Sequence, residues 1–83
     1  MSKEKDTSLY NIILLSRIYK RKGNLNLAYH YLKKAEKEAI KIEAFEILSL
    51  IYSEILKLSY DRISIDISTY TSLKIENKKK LDL

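Results

Sequence analysis

The chain has very little of the residues that usually interrupt or crosslink a fold. Its 83 residues include one glycine, no proline and no cysteine. Without cysteine there is no disulfide framework and no cysteine–histidine metal site. With so little glycine and proline, a fold with many tight turns is disfavoured, and a glycine-rich phosphate-binding loop is excluded. The composition therefore favours a chain with few turns and no cofactor.

Long apolar runs are also missing. No run reaches the roughly 18 residues that a membrane-spanning helix needs. The first six residues are mostly charged and lack the apolar core of a signal peptide. We therefore expect a cytoplasmic protein that does not use a membrane as a partner.

The length limits the chain to a single small domain over residues 1–83, with residues 1–6 and 77–83 expected to be frayed ends. A domain of this size buries only about 60–65% of its unfolded surface and is marginally stable without a partner chain or very regular helices. Ile, Leu, Lys, Glu and Tyr dominate, whereas Cys, Gln and Met are absent or nearly so. This bias is typical of heat-adapted proteins and suggests a thermophilic archaeal or viral source.

A six-residue phrase occurs twice in the chain. Residues 14–19, Leu-Leu-Ser-Arg-Ile-Tyr, return as residues 47–52, Ile-Leu-Ser-Leu-Ile-Tyr. Within and around each copy, the apolar, small and tyrosine residues are three, four and seven positions apart, so they share one face of a helix. After the first copy, Gly23 is suited to end a helix in the left-handed conformation. Asn24 is then a good cap for a second helix.

This order of residues resembles the tetratricopeptide repeat, a helix–turn–helix unit of about 34 residues. The resemblance implies an all-α fold of two stacked helix–turn–helix hairpins that bind partners and do not catalyse. It also implies a partner-binding groove lined by the first helix of each unit. The matching positions are Tyr10, Ile13, Arg17, Lys20 and Arg21 in the first unit and Glu43, Glu46, Leu50 and Glu54 in the second. The basic residues of the first unit would then face the acidic residues of the second unit across the groove.

The apolar pattern predicts three helices, over about residues 9–22, 25–39 and 44–57. Thr7 or Ser8 is the expected cap of the first helix. The apolar stripe changes phase just before residue 44, which favours a turn between the second and third helices. No glycine, proline or asparagine marks that turn, so one long continuous helix is the alternative.

Residues 61–76 fit two patterns. Isoleucines that alternate with polar residues predict a strand, whereas Ile63, Ile67 and Tyr70 have the spacing of the second helix of a hairpin. A strand pair would need turn residues that Ser68 and Thr69 do not supply, and an isolated two-stranded ribbon is marginally stable. We favour a helix here. The alternative fold is a three-helix core with a C-terminal β segment.

Candidate catalytic groups are scarce. His30 is the only histidine and lies between two tyrosines on an amphipathic helix, which is typical of a surface or boundary residue. The pairs Glu36–Glu38 and Asp61–Asp66 lack the spacing of three or four that would place two carboxylates together for acid–base catalysis. We therefore expect no enzymatic activity, no catalytic residue, no cofactor and no metal.

The first helix is apolar on almost every side, which predicts contacts beyond its own hairpin. Leu14 and Ile18 lie off its repeat-facing side and would be exposed in a monomer. Repeat stacks usually need about three units to bury a continuous core, and closed two-fold pairing is the commonest way to cover such a surface. We predict a homodimer that buries these two residues. The predicted function is a small protein–protein interaction module or adaptor that binds a protein or peptide.

The charge distribution supplies an alternative function. Residues 1–42 carry ten Lys and Arg against four acidic residues, and residues 43–83 carry six against seven. A nucleic-acid-binding accessory protein would track phosphates with the cations of the first hairpin and stack bases on Tyr29 and Tyr31. The candidate phosphate contacts are Lys22, Lys33, Lys34, Lys37 and Lys41.

Overall fold

The computed structural model describes the backbone of residues 3–59 and 65–81, and the side chains of these ranges from residue 7 onward. The described chain forms four α-helices and contains no strand. They are α1 (Lys3–Arg21), α2 (Leu25–Lys41), α3 (Phe45–Leu58) and α4 (Ile67–Leu81). The all-α prediction is confirmed, and the alternative with a C-terminal β segment is wrong for the residues described. Residues 60–64, which include the start of the ambiguous segment, lie outside them.

The helices pack as two stacked hairpins. α1 packs against α2, and α3 packs against α4, while α3 also contacts both α2 and α1. The domain measures 35 × 29 × 15 Å along its principal axes. In this arrangement the first helices of the two hairpins, α1 and α3, lie next to each other. None of the described helices is both long enough and apolar enough to cross a membrane.

Small residues let the helices approach closely. Three alanines of α2 are fully buried, at positions 28, 35 and 39. Ser16 of the repeated phrase is also buried and donates a hydrogen bond of 2.6 Å to the carbonyl oxygen of Ile13, and its counterpart Ser49 is half-buried. The large side chains of the core fill the remaining space. They are Leu9, Ile13, Leu32, Ile47, Leu48, Ile51, Tyr52, Ile55, Leu58 and Tyr70.

Residues 3–6 and 77–81, which were expected to be frayed, are helical. α1 begins at Lys3, so Thr7 and Ser8 are helical residues and do not cap the helix. Lysine and glutamate are good helix formers, so the charged N-terminal residues extend the helix. At the other end, residues 77–81 belong to α4 and are not a frayed fringe. Asn77 is 2% exposed and donates a hydrogen bond of 2.7 Å to the carbonyl oxygen of Phe45.

A capping aspartate starts α4. Asp66 accepts hydrogen bonds from the backbone N–H of Thr69 (3.2 Å) and from the Thr69 hydroxyl (2.7 Å). These hydrogen bonds hold the pKa of Asp66 below its ordinary value. An aspartate whose side chain bonds the backbone three residues later is a strong helix start signal. It favours a helix over a strand for the residues that follow.

The first inter-helix turn has the conformation that its glycine predicts. Gly23 has a φ of 82°, and its N–H bonds the carbonyl of Lys20 at 3.0 Å. The N–H of Asn24 bonds the carbonyl of Tyr19 at 2.9 Å. These two bonds form a Schellman motif, which satisfies carbonyls at the end of α1. Asn24 holds the N-cap position of α2, but its side chain makes no capping hydrogen bond.

The second turn repeats this geometry without a glycine. The N–H of Glu43 bonds the carbonyl of Ile40 at 3.2 Å, and the N–H of Ala44 bonds that of Ala39 at 2.9 Å. Glu43 has a φ of 56°, in the left-handed region that is unfavourable for residues with a Cβ. The predicted turn between the second and third helices is therefore confirmed. Its position relative to α2 matches that of Gly23 relative to α1.

We predict that Glu43→Gly raises the free energy of unfolding by about 1 kcal/mol, because glycine adopts this conformation without the Cβ penalty. Glu43→Ala is the control, since it removes the same carboxylate but keeps the Cβ. Conversely, Gly23→Ala should lower stability by about 1 kcal/mol, through backbone strain alone, because a Cβ there meets no atom within 4 Å. Urea denaturation at fixed protein concentration measures all three variants. Equal effects of Gly and Ala at position 43 would contradict the prediction.

Candidate functional site

The nine predicted groove residues do not all reach the surface. Six are exposed, namely Tyr10, Arg17, Arg21, Glu43, Glu46 and Leu50. Lys20 is half-buried, while Ile13 and Glu54 are buried. We use the term groove face for the exposed residues of α1, of α3 and of the turn before α3 on this side: Tyr10, Leu14, Arg17, Ile18, Arg21, Glu43, Glu46 and Leu50. The α1 members are three or four residues apart and therefore lie on one side of that helix.

The prediction that Ile13 lines the groove is wrong. Ile13 is only 3% exposed and belongs to the core, together with Leu9 and Ser16. These three residues are spaced by four and three positions, so they form one inward face of α1. Because α1 is apolar on almost every side, the sequence pattern alone does not fix which face turns inward.

Arg17 and Glu54 join α1 to α3 across the groove face. The Arg17 Nε and Nη2 atoms each donate a hydrogen bond of 3.1 Å, to Oε1 and Oε2 of Glu54 respectively. The Glu54 side chain is 6% exposed and also accepts a bond of 3.3 Å from Lys57 Nζ. Burial tends to raise the pKa of Glu54, but its bonds to Arg17 and Lys57 outweigh this and lower it. The predicted basic and acidic sides of the groove are therefore in contact through Arg17 and Glu54, and Glu54 already has its partner within the chain.

Apolar side chains occupy the middle of the groove face. Leu14 is 52% exposed and Ile18 is 40% exposed, as predicted for a single chain. Tyr10, one turn before Leu14, is 43% exposed, and Leu50, one turn before Glu54 on α3, is 39% exposed. Adjoining exposed apolar side chains of this size often mark an interaction site on a soluble protein.

A cavity of about 350 Å³ lies at one end of the groove face. Tyr10 and Phe45 supply aromatic rings, and Glu43 and Glu46 supply carboxylates. The ring of Phe45 already has a cation over it, because Lys80 Nζ lies 5.1 Å from the ring centroid. The full lining is Tyr10, Glu43, Ala44, Phe45, Glu46, Ile47 and Leu81. Its chemistry suits a cationic group with an apolar stem.

The opposite end of the groove face is basic. Arg21 ends α1 and Lys22 follows it, and both are exposed. Lys57 lies in the last turn of α3, at the same end. The groove face therefore has an acidic aromatic end, an apolar middle and a basic end.

A partly buried polar cluster, which the sequence analysis missed, links α2, α3 and α4. Lys33 Nζ donates to Glu36 Oε1 at 2.7 Å and to the Tyr70 hydroxyl at 2.9 Å. The Tyr29 and Tyr70 hydroxyls are 2.7 Å apart, and the rings of Tyr52 and Tyr70 are 6.2 Å apart. The spacing of Tyr29, Lys33 and Glu36 on α2 was a visible signal. Tyr70 is 37 residues from Lys33, and no local pattern connects them.

The electrostatics of this cluster favour a structural role. Burial and the hydrogen bond with Tyr70 raise the pKa of Tyr29 to about 12. Burial and Glu36 likewise raise the pKa of Tyr52. Burial alone would lower the pKa of Lys33, but its bonds to Glu36 and Tyr70 outweigh burial and raise it. Acid–base catalysis needs pKa values near neutral pH, and all three values move away from it.

The candidate nucleic-acid contacts are only partly available. Lys22, Lys34, Lys37 and Lys41 are exposed, whereas Lys33 is half-buried and donates hydrogen bonds to Glu36 and Tyr70. Tyr31 stacks on Tyr19 with ring centroids 5.5 Å apart, and Tyr29 is bonded to Tyr70. The two tyrosines that were predicted to stack on bases therefore have partners inside the protein.

In comparisons with known proteins, the chain matches no protein-family model, no curated protein and no solved structure. The case for a function therefore rests on the groove face and the basic residues of α2.

We predict that Arg17→Met destabilises the protein by about 1–2 kcal/mol at neutral pH, because the buried Glu54 carboxylate then keeps only Lys57. The half-exposed position of Arg17 limits the effect. Adding Glu54→Gln should recover part of the lost stability. Lys57→Met is the control, because it removes the more exposed of the two cations that bind Glu54.

Because the pKa of Glu54 is lowered, its stabilisation is present above pH 4.5 and is lost as pH falls below it. Thermal unfolding from pH 3 to 7 tests this; an equally acid-sensitive Arg17→Met would contradict it.

A second prediction concerns alkaline pH. The raised pKa values of Tyr29, Tyr52 and Lys33 favour the protonated forms in the folded state, so their stabilisation is present below pH 10 and is lost as pH rises above it. Tyr70→Phe removes one hydroxyl and should cost about 1 kcal/mol at neutral pH. The loss of stability above pH 10 should also be smaller in Tyr70→Phe than in the wild-type protein. Urea denaturation at several pH values measures both effects, with Tyr10→Phe as the control on the groove face.

Proposed function

We propose that the protein is a small protein–protein interaction module, built from two tetratricopeptide-like hairpins, that binds partners on its groove face and associates with itself. The observation that carries this proposal is the exposure of Tyr10, Leu14 and Ile18 at successive turns of α1, beside Leu50 of α3. The Arg17–Glu54 pair supports it by holding α1 and α3 together as one surface. The proposal includes no catalytic step.

The apolar residues supply a moderate driving force. Complete burial of a Leu or Ile side chain is worth roughly 1.5–3 kcal/mol, so covering one that is half exposed is worth roughly 1 kcal/mol. Four such side chains on each of two surfaces give roughly 8 kcal/mol, which is comparable to the roughly 4–15 kcal/mol cost of association. Apolar contacts alone therefore support weak binding. The charges at the two ends of the groove face then decide affinity and choice of partner.

Nucleic-acid binding is the second candidate function. The observation that favours it is the outer surface of α2, where Lys34, Lys37 and Lys41 are exposed on one side of the helix. Among the described residues these three lysines have no ion-pair partner. Against it, the tyrosines nearby are already used in contacts within the protein. We therefore place this function second.

We predict that the wild-type chain is a homodimer by light scattering and that Leu14→Gln with Ile18→Gln shifts it to monomer. Neutral replacements keep the net charge, so the effect reports on apolar burial alone. The matched control is Ile40→Gln with Ile75→Gln, two residues that are 51% and 55% exposed on α2 and α4. The control should remain dimeric.

Two outcomes would contradict the proposal. One is a wild-type chain that stays monomeric at high concentration and binds no other protein. The other is tight binding to a short duplex that weakens steeply with salt and is lost when Lys34, Lys37 and Lys41 become Gln, since phosphate contacts depend on salt and apolar contacts do not. The second outcome would favour the nucleic-acid function.

A further inference from the structure

The groove face is electrostatically asymmetric along its length. Its cavity end carries Glu43 and Glu46 with no ion-pair partner among the described residues, and its other end carries Arg21 and Lys22. A surface that is acidic at one end and basic at the other is complementary to itself when one copy is turned end over end. The surface therefore fits a second copy of the same chain in an antiparallel orientation.

Helix spacing gives the register of such a pair. An axis at the level of Ser16, midway between Leu14 and Ile18, would place Leu14 of each copy against Ile18 of the other. Tyr10 is then six residues from the axis in one direction and Arg21 is five in the other. At about 1.5 Å per residue, these two lie within about 1.5 Å of the same level on the paired helices. The guanidinium of Arg21 would thus reach the cavity of the second copy.

We propose that two copies pair antiparallel through the groove face, about a two-fold axis between Leu14 and Ile18, with Arg21 of each copy seated in the cavity of the other. This rests on the proposed self-association and specifies its geometry.

The cavity suits an arginine. A guanidinium is planar, so it stacks on an aromatic ring such as that of Tyr10 while it donates two hydrogen bonds to one carboxylate. Lys80 lies over the ring of Phe45 and offsets one of the two carboxylates. Glu43 and Glu46 still leave the cavity with a net negative charge. A parallel pair would instead bring the two acidic ends together and the two basic ends together, which is repulsive.

Arg17 is a cation close to the proposed axis, where it would approach Arg17 of the second copy. Its two hydrogen bonds to Glu54 neutralise it within each chain. Leu14, Ile18 and Leu50 can therefore be covered without burying an unpaired guanidinium.

A charge-reversal series in the full chain tests the pairing. Arg21→Glu and Glu43→Arg should each weaken dimerisation by roughly 10- to 100-fold, because each breaks two equivalent contacts per dimer. The double variant exchanges the two charges and should restore the dimer. Glu43 lies in the turn, so its reversal leaves the charges of both helices unchanged. Lys37→Glu, which changes the net charge as Arg21→Glu does on a different helix, should have little effect. Analytical ultracentrifugation at several concentrations gives the dissociation constants, and circular dichroism confirms folding.

Crosslinking tests the orientation independently of charge. The chain has no cysteine, so introduced cysteines react without competition. A disulfide needs Cα atoms about 4.4–6.8 Å apart, so a mixture of Leu14→Cys and Ile18→Cys chains should crosslink efficiently and each variant alone poorly. Efficient crosslinking of each variant with itself would show a parallel pair and overturn the inference.

The outcomes separate the inference from the proposed function. A dimer that Leu14→Gln with Ile18→Gln dissociates, but that the charge reversals leave unchanged, overturns the antiparallel pairing and leaves the interaction module standing. A double charge variant that stays as weak as the single ones also overturns the pairing. A wild-type chain that is monomeric at every concentration overturns self-association itself.

Discussion

The bond between Arg17 and Glu54 is the interaction on which the groove face depends. It crosses from the first hairpin to the second, and it holds α1 and α3 side by side through two hydrogen bonds of 3.1 Å. Because the Glu54 carboxylate is buried, it needs this partner, and removing a partner from a buried charge is costly. The pair also gives the Arg17 guanidinium a carboxylate partner at the centre of the surface. The exposed apolar residues are left in the middle and the unpaired charges at the ends.

A second polar connection lies on the other side of the stack. Lys33 and Tyr29 of α2 bond the Tyr70 hydroxyl of α4 at 2.9 and 2.7 Å, so a polar contact joins α2 to α4 as the Arg17–Glu54 ion pair joins α1 to α3. In an 83-residue domain the apolar core is small. Hydrogen bonds and ion pairs between the hairpins add little net stability. Because they are directional, they fix the orientation of one hairpin relative to the other. The rigid relation of α1 and α3 is what makes a shared binding surface feasible.

Much of the fold was predictable because its signals are local. The spacing of apolar residues predicted α1, α2 and α3. The change in phase of the apolar stripe predicted the turn at Glu43, although a glutamate is poorly suited to the left-handed backbone conformation there. α4 was harder, because the apolar residues of that segment fit a strand as well as a helix. The Asp66 cap and the Asn77 bond to Phe45 favour the helix. The first of these is a local signal, and the second needs the folded chain.

Local residue order was enough to establish the helical class and the positions of the first two turns, because both follow from the order of neighbouring residues. The folding of the whole chain established which face of α1 turns inward, and so placed Ile13 in the core and not in the groove. It also decided that Glu54 binds Arg17 and that Lys33 binds Tyr70, each across 37 residues. Contacts between residues so far apart depend on how the hairpins stack, and helix periodicity carries no information about that.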